Sequence, residues 1–292
     1  MPELPEVQTT VDGINKTVKN LVITDVWTNY KSPYYKNKEE IKNPSYFTVF
    51  SKEIKGQKIL SSERRAKNIL IHLSNKKTLL IHMKMTGHLM YGRYIYSKEP
   101  KDTKDPWKPV QKTGPLADPF NRHIRLVFSL SNNKHLVLSD MRKFAKVTLI
   151  DTKTLLHSPH ISHLGPEPLD STCNTSVFHE QIQKKKQGKI KTVLMDQTII
   201  SGVGNIYSDE ALWRSGIHPE RKVKDISKED SVHLFNAVKE VLKKGIDFGG
   251  DSMSDYRNIH GERGEFQSKH NAYRKTGKPC SKRGCAGVIQ RR

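Results

Sequence analysis

Six short runs in the first half of the chain set apolar residues between polar turns at strand length. They are residues 21–27 (LVITDVW), 68–73 (NILIHL), 78–85 (TLLIHMKM), 123–130 (HIRLVFSL), 134–140 (KHLVLSD) and 145–150 (AKVTLI). Apolar and β-branched runs bounded by turn clusters such as SNKK and SNNK predict strands. With no helical pattern between them, those strands must pack sheet on sheet, as a β-sandwich or barrel. A helical pattern over residues 5–20 flanks them. From about residue 170 the period changes. Ser227 opens SKED, a capping-box pattern, and Val232, Leu234, Phe235, Val238, Val241 and Leu242 follow at helical spacing until Gly249 and Gly250 stop the run. Residues 155–168 hold three prolines and three histidines and predict a hinge. The proline-rich polar stretch between Ser97 and Pro119 predicts a solvent-exposed insertion.

Charge then narrows the partner. With 51 Lys and Arg against 30 Asp and Glu, the 292-residue chain has a formal charge of +21, the electrostatic footprint of a protein that binds phosphates. A membrane surface fits less well: there is no 18-residue apolar run and no basic amphipathic helix with a bulky apolar face. The first residues carry acids where a signal peptide needs a basic region and an apolar core, so the protein reads as cytoplasmic, or organellar or nuclear in a eukaryote. Three cysteines, Cys173, Cys280 and Cys285, are too few for a disulfide framework.

Several stretches hold candidate chemistry. MPELPEV (1–7) is a good helix start, since an early proline forfeits no helical hydrogen bond and acids there complement the macrodipole. SGVGNIYSDEALWRSGIHP (201–219) is a glycine-rich turn feeding a helix, which lets backbone amides approach a phosphate; equally, it is a turn between helices. The run Lys184-Lys185-Lys186 adds charge just before it. RRAK (64–67) precedes a strand and on local grounds is surface charge. SDMRKF (139–144) sets Arg142, Lys143 and Phe144 together. Either Phe144 is core with cations at the rim, or it is a wedge for a base stack beside phosphate-holding cations. CSKRGC (280–285) has the spacing of half a structural zinc site.

Taken in order, MPELPEV, RRAKNILIHL, IHMKMTGHL, DMRKF, HLGPEPL, LMDQTIISGVGNIYSDEALWRSGIHP and YRNIHGERGEFQ resemble the formamidopyrimidine-DNA glycosylase and endonuclease VIII family of base-excision repair enzymes. Glu3-Leu4, rather than Glu-Gly, resembles the branch that removes oxidised purines such as 8-oxoguanine and formamidopyrimidines. The resemblance implies an α+β multidomain fold. A catalytic N-terminal β-sandwich domain with a flanking helix (1–155) and a hinge (156–170) would lead to a helix-two-turn-helix DNA-binding domain (171–250). A lesion-capping loop (251–272) and a partial zinc-finger hairpin (273–292) would follow. Loss of Met1 would free the secondary amine of Pro2 to attack the sugar C1′, expel the base and leave a Schiff base for β-elimination. Glu3 would be the acid/base, Glu6 would orient that site, and Lys67 would contact the phosphate beside the lesion and assist elimination.

The same resemblance implies that Met85, Arg142 and Phe144 fill the gap left by the flipped nucleotide. Met141 and Lys143 stand where the family has proline and a second arginine, and lysine keeps the charge while losing the bidentate fork. His82, His123, Lys186 and Asn205 would contact phosphates, and the loop carrying Tyr256, Arg257 and Phe266 would close over the extruded base. The implied partner is double-stranded DNA with oxidised bases or abasic sites, bound by a monomer, at the nucleoid if the source is bacterial. The implied cofactor is zinc. Cys280 and Cys285 supply two of four expected ligands, and the sequence ends at Arg292 before the other two and the finger's arginine. A partial finger would weaken DNA binding and impair δ-elimination; a longer chain would restore both. Two other functions stay open: a catalytically impaired damaged-DNA-binding protein, and an endonuclease VIII-like enzyme for oxidised pyrimidines.

Overall fold

The structure, a computed structural model, describes residues 1–99 and 105–291. The 100–104 part of the expected insertion lies outside the described residues. The chain opens with helix α1 (Leu4–Thr17), followed by strand β1 (Ile23–Thr28) and helix α2 (Pro44–Ile54). Strands β2 (Ile59–Arg65), β3 (Asn68–Leu73), β4 (Lys77–His82) and β5 (His88–Gly92) come next. A short ribbon of β6 (Tyr94–Tyr96) and β7 (Trp107–Pro109) precedes β8 (Ile124–Leu130), β9 (His135–Ser139) and β10 (Lys146–Asp151). Two antiparallel four-stranded sheets result, in the orders β1-β8-β9-β5 and β10-β4-β3-β2. Ile69, Ile71 and Ile81 of one sheet meet Leu126, Phe128 and Leu138 of the other in a shared core, the sheet-on-sheet packing the strand pattern required.

All six predicted runs are strands. The run 78–85 stops at His82, because Lys84 enters the left-handed region (φ 55°) and turns the chain before Met85. The pattern missed β2, whose ILSSERR is too polar to read as a strand; it is nonetheless held by the ladder to β3, Arg65 opposite Asn68. It also missed α2, and the ribbon β6–β7 occupies part of the stretch expected to be plain insertion.

After a connection, helices α3 (Thr175–Gln183), α4 (Ile190–Met195), α5 (Asn205–Ser215) and α6 (Lys228–Asp247) form the second body around Phe178, Leu194, Leu212, Phe235 and Leu242. The capping box at Ser227 forms with Asp230, whose amide donates to Ser227 Oγ at 3.0 Å. The segment expected to act as a hinge is packed along its length. Leu155 and Ile161 bury against Leu70 and Leu80, Gly165 N donates to Gln197 O at 2.8 Å, and Ser201 N donates to Pro166 O at 3.0 Å.

Two further connections tie the halves together. Helix α1 buries Leu4 in the helical core, while Val7, Val11, Ile14 and Val18 bury in the sandwich core, so one amphipathic helix serves both. Past α6, Gly249 and Gly250 adopt φ of 69° and 86° and reverse the chain, which returns to bury Ile259 in the sandwich core, where Ile259 O accepts from Tyr91 N at 2.7 Å. The last described residues form a small hairpin, with Cys280 N donating to Gly287 O and Ile289 N to Lys278 O.

Candidate active site

The first turn of α1 lies at the junction of the two bodies. Pro2 and Pro5 cost no hydrogen bond there, and Glu3 and Glu6 close a reciprocal capping box, Glu3 N donating to Glu6 Oε2 at 2.7 Å. Glu3 also reaches the start of another helix: Ile206 N, in the first turn of α5, donates to Glu3 Oε1 at 2.9 Å. Room for the carboxylate exists because residue 204 is glycine; a Cβ there would lie 2.4 Å from Glu3 Cδ. Burial pushes the Glu3 carboxyl above its usual range, opposed by the nearby Lys67 ammonium, the Ile206 amide and the chain's N-terminus. Glu3 Oε2 is buried and, among the described residues, has no hydrogen-bond partner, so one carboxyl oxygen stays available to a substrate atom.

Glu6 is fully satisfied. Its Oε1 accepts from Tyr207 Oη at 2.6 Å and from Asp251 N at 2.7 Å, and its Oε2 takes the Glu3 amide. Burial, then the Glu3 charge, raise its pKa to about 7. Pro2 is buried beside these acids and lines a small cavity of about 40 Å³ with Met85, Asp251, Met253, Tyr256 and Tyr273.

Lys67 arrives from the other sheet on the two-residue turn between β2 and β3, where Ala66 takes φ 54°. The hairpin is riveted to the connection between the bodies. Arg64, Arg65 and the Ala66 amide all bind the Glu167 carboxylate, and Arg65 donates to Ser201 Oγ (2.9 Å), Leu164 O (2.9 Å) and Gly165 O (2.8 Å). Arg64 and Arg65, read from sequence as surface charge, are structural. Burial lowers the Lys67 ammonium, with Glu3 and Glu6 opposing. Two carboxyls are pushed up and an amine is pushed down, each toward its uncharged form.

Above this centre lies an exposed rim. Met85 (41% exposed), Arg142 and Phe144 (45%) project from the β4–β5 and β9–β10 turns, with the Arg142 guanidinium 4.4 Å above the Phe144 ring. Phe144 is therefore not core. Asp140 ties the two turns together: it accepts from Thr86 Oγ1 (2.5 Å), Tyr30 Oη (2.7 Å) and Ala145 N (2.8 Å), and Thr86 Oγ1 in turn accepts from Arg142 N. Lys143, at φ 56°, is exposed on the same turn.

The expected phosphate contacts are spread more widely. Asn205 is exposed at the start of α5, next to the Glu3 contact, and Lys186 is exposed on the α3–α4 loop. His82 is half-buried and its pKa is depressed to about 3, by desolvation first and then by Lys84, Lys67 and Lys146. Its Nδ1 accepts from Lys84 N at 3.0 Å, so the ring is a neutral donor through Nε2. His123 is half-buried among Arg122, Arg125 and Asp105.

The loop residues sit deeper than a flap would. Tyr256 is buried, its hydroxyl donating to Glu6 O at 3.0 Å. Arg257 is 2% exposed and held by Asp118 and by the carbonyls of Ser254 and Tyr256. Phe266 lies in the helical core, stacked on Tyr207 at 5.1 Å. These three anchor the base of the segment in this conformation, and Met253 is its exposed apolar side chain.

Cys280 and Cys285 face one another across a tight turn, and the Cys280 thiol is held low by the Lys282 amide, then by Trp213 and Cys285. Among the described residues no group of three or more His, Cys, Asp or Glu is placed to hold a metal. The residues present make half a tetrahedral zinc set and do not by themselves fit the ion. No helix among the described residues is long and apolar enough to cross a membrane.

A β-sandwich and a helical body, with Pro2, Glu3, Glu6 and Lys67 buried at their junction, are the architecture of an α+β enzyme. The sequence matches the formamidopyrimidine-DNA glycosylase N-terminal domain over residues 1–147 and the formamidopyrimidine-DNA glycosylase H2TH domain over residues 164–257. Formamidopyrimidine-DNA glycosylases of Desulforamulus reducens and Heliobacterium modesticaldum are each 34% identical, over 100% of this chain and 94% of theirs. The Lactococcus lactis enzyme, solved with abasic-site DNA, superposes with a TM-score of 0.80 at 28% identity, covering 99% of this chain and 93% of that one. The Thermus thermophilus MutM protein gives 0.76 at 27% identity, covering 100% and 93%. The chain belongs to the formamidopyrimidine-DNA glycosylase family.

Sequence reasoning passed over Tyr207, Glu167, Gly204 and Asp251. The only signal was that the first three fall inside two of the matching motifs, HLGPEPL and LMDQTIISGVGNIYSDEALWRSGIHP; Asp251 contributes a backbone amide, which leaves no trace in a side-chain pattern.

Proposed function

We propose that the protein is a base-excision DNA glycosylase with apurinic/apyrimidinic lyase activity, acting on oxidised purines in duplex DNA. The observation that carries this reading is that buried Glu3 lies within electrostatic reach of both Lys67 and the chain's N-terminus, while Pro2 lines a cavity at the junction of the bodies. Once Met1 is removed, the Pro2 secondary amine attacks the sugar C1′. The bond to the damaged base breaks, its electron pair leaving with the base; the C1′–O4′ bond then opens, its electron pair going to O4′, which takes a proton, and the iminium left between C1′ and the Pro2 nitrogen is permanently cationic. Glu3, one oxygen held by Ile206 and the other unpartnered, exchanges the proton at the sugar. Glu6 binds the Glu3 amide and so fixes the turn that carries Pro2. Lys67, lowered by burial, assists removal of the proton whose loss drives β-elimination. Met85, Arg142 and Phe144 occupy the space left by the flipped nucleotide, while Asn205, Lys186, His82 and His123 meet the backbone. The structural neighbours solved with formamidopyrimidine-containing or abasic DNA support this choice of substrate. The thiol pair would serve zinc only with two further ligands, and no step above runs through a metal. The place of action is where the DNA is, the cytoplasmic nucleoid in a bacterium.

Borohydride trapping is the test. The processed protein, incubated with duplexes carrying 8-oxoguanine, a formamidopyrimidine, thymine glycol or an abasic site, is expected to trap covalently on the purine lesions and the abasic site. Pro2→Gly is expected to lose the trap. Binding without any trap would support the impaired-sensor alternative, and preference for thymine glycol would support the pyrimidine-acting one.

A further inference from the structure

Arg274 stands in the wall of the cavity beside Pro2, Met85 and Asp251, and no role has yet been given to it. Its backbone takes φ 56°, a region that L side chains rarely adopt. The same strain recurs around the site: Ala66, Lys84 and Lys143 have φ of 54°, 55° and 56°, and each immediately precedes a site residue, Lys67, Met85 and Phe144. Backbone strain of this kind is retained where the surroundings hold it and a side chain must be aimed.

The surroundings of Arg274 are built for holding. The buried Glu210 carboxylate accepts from Asn271 N, Ala272 N and Tyr273 N at 2.8 to 3.0 Å, pinning the three residues before it. His270 Nε2 lies 2.7 Å from Asp251 Oδ2, both side chains almost fully buried, so the segment also packs on the loop whose amide binds Glu6. The Arg274 guanidinium has no carboxylate and no hydrogen-bond acceptor among the described residues; its one such neighbour is the Tyr273 ring at 5.9 Å. Exposed on a rigid mount, this cation is free to take an anion from solution.

We propose that Arg274 is a substrate-binding residue that grips the phosphodiester of the nucleotide turned toward Pro2. This rests on the reading of the reaction given above. A geometry that brings C1′ to Pro2 brings the sugar's own phosphates to the walls of the same cavity, and the guanidinium fork matches a phosphate bidentately.

Arg274→Gly and Arg274→Lys test it on a duplex carrying a tetrahydrofuran abasic analogue, which has no base to contact. Glycine suits the backbone, so Arg274→Gly is expected to melt at or above the wild-type temperature. It is expected to bind about tenfold more weakly and to lower the slope of log affinity against log salt by about 0.9, one phosphate's worth of counterions. Arg274→Lys is expected to keep the slope. An unchanged slope in the glycine variant, or a loss seen only on 8-oxoguanine duplex, overturns the assignment. Wild-type protein that neither traps on nor prefers damaged DNA would instead count against the proposed function.

Discussion

The acid centre and the rim above it are opposite in construction. Glu3, Glu6 and Lys67 are buried, each displaced by desolvation toward the protonation state that is neutral, and each fixed by partners from a different element. Met85, Arg142 and Phe144 are exposed on the β4–β5 and β9–β10 turns, where the Arg142 guanidinium stacks on the Phe144 ring. The difference teaches what each must do. Proton transfer at a sugar needs groups poised near neutrality in a dry, rigid volume. Filling a gap in a base stack needs apolar and cationic surface already outside, so that binding incurs no local unfolding.

That contrast can be broken from either side. Gly204→Ala drives a methyl to within 2.4 Å of the Glu3 carboxyl carbon without changing any charged group. Glycosylase rate in single turnover is expected to fall by about 10²–10⁴, as for loss of a general acid/base, with damaged-DNA affinity kept within a few-fold. Glu6→Gln sharpens the electrostatic half. A carboxyl raised to about 7 binds more protons folded than unfolded between its ordinary range near 4.5 and pH 7, so wild-type stability falls as pH rises through that window and levels above it. Melting temperatures from pH 4.5 to 8 are expected to show this decline in wild type and a flatter profile in Glu6→Gln. That variant is also expected to be less stable by about 1–3 kcal/mol at low pH, because its amide nitrogen would face a donor.

On the rim the expected effects are smaller and of the other kind. Phe144→Ala is expected to weaken lesion-duplex binding about tenfold, the stacking of one aromatic, with no change in melting temperature. Smallest is Lys186→Ala, a few-fold loss at 0.1 M salt that vanishes as salt rises. His82→Ala, by contrast, is expected to leave the salt slope unchanged, because the ring is neutral.

Much of this molecule was legible in one dimension. Six strands, the capped helix α6 and the helix start at MPELPEV follow from period and punctuation, because those are local consequences of side-chain alternation and of helix ends. The ordered motifs carried Pro2, Glu3, Glu6 and Lys67. What local pattern misjudged was burial. Phe144 reads locally as either core or wedge and is exposed; Phe266, placed on a closing loop by the resemblance, is core; Arg64 and Arg65 read as surface and bind Glu167.

The sequence by itself determined which residues are chemically able: an amine behind a removable methionine, two acids on one helical turn, a lysine on a tight hairpin, a net charge that seeks phosphate. Only the tertiary structure decided that the acids and the lysine meet. Glu3 gains its meaning from Gly204 and Ile206, some two hundred residues away, and Glu6 from Tyr207 and Asp251. Desolvation, which shifts all three groups, is a property of the packed volume that no residue holds alone.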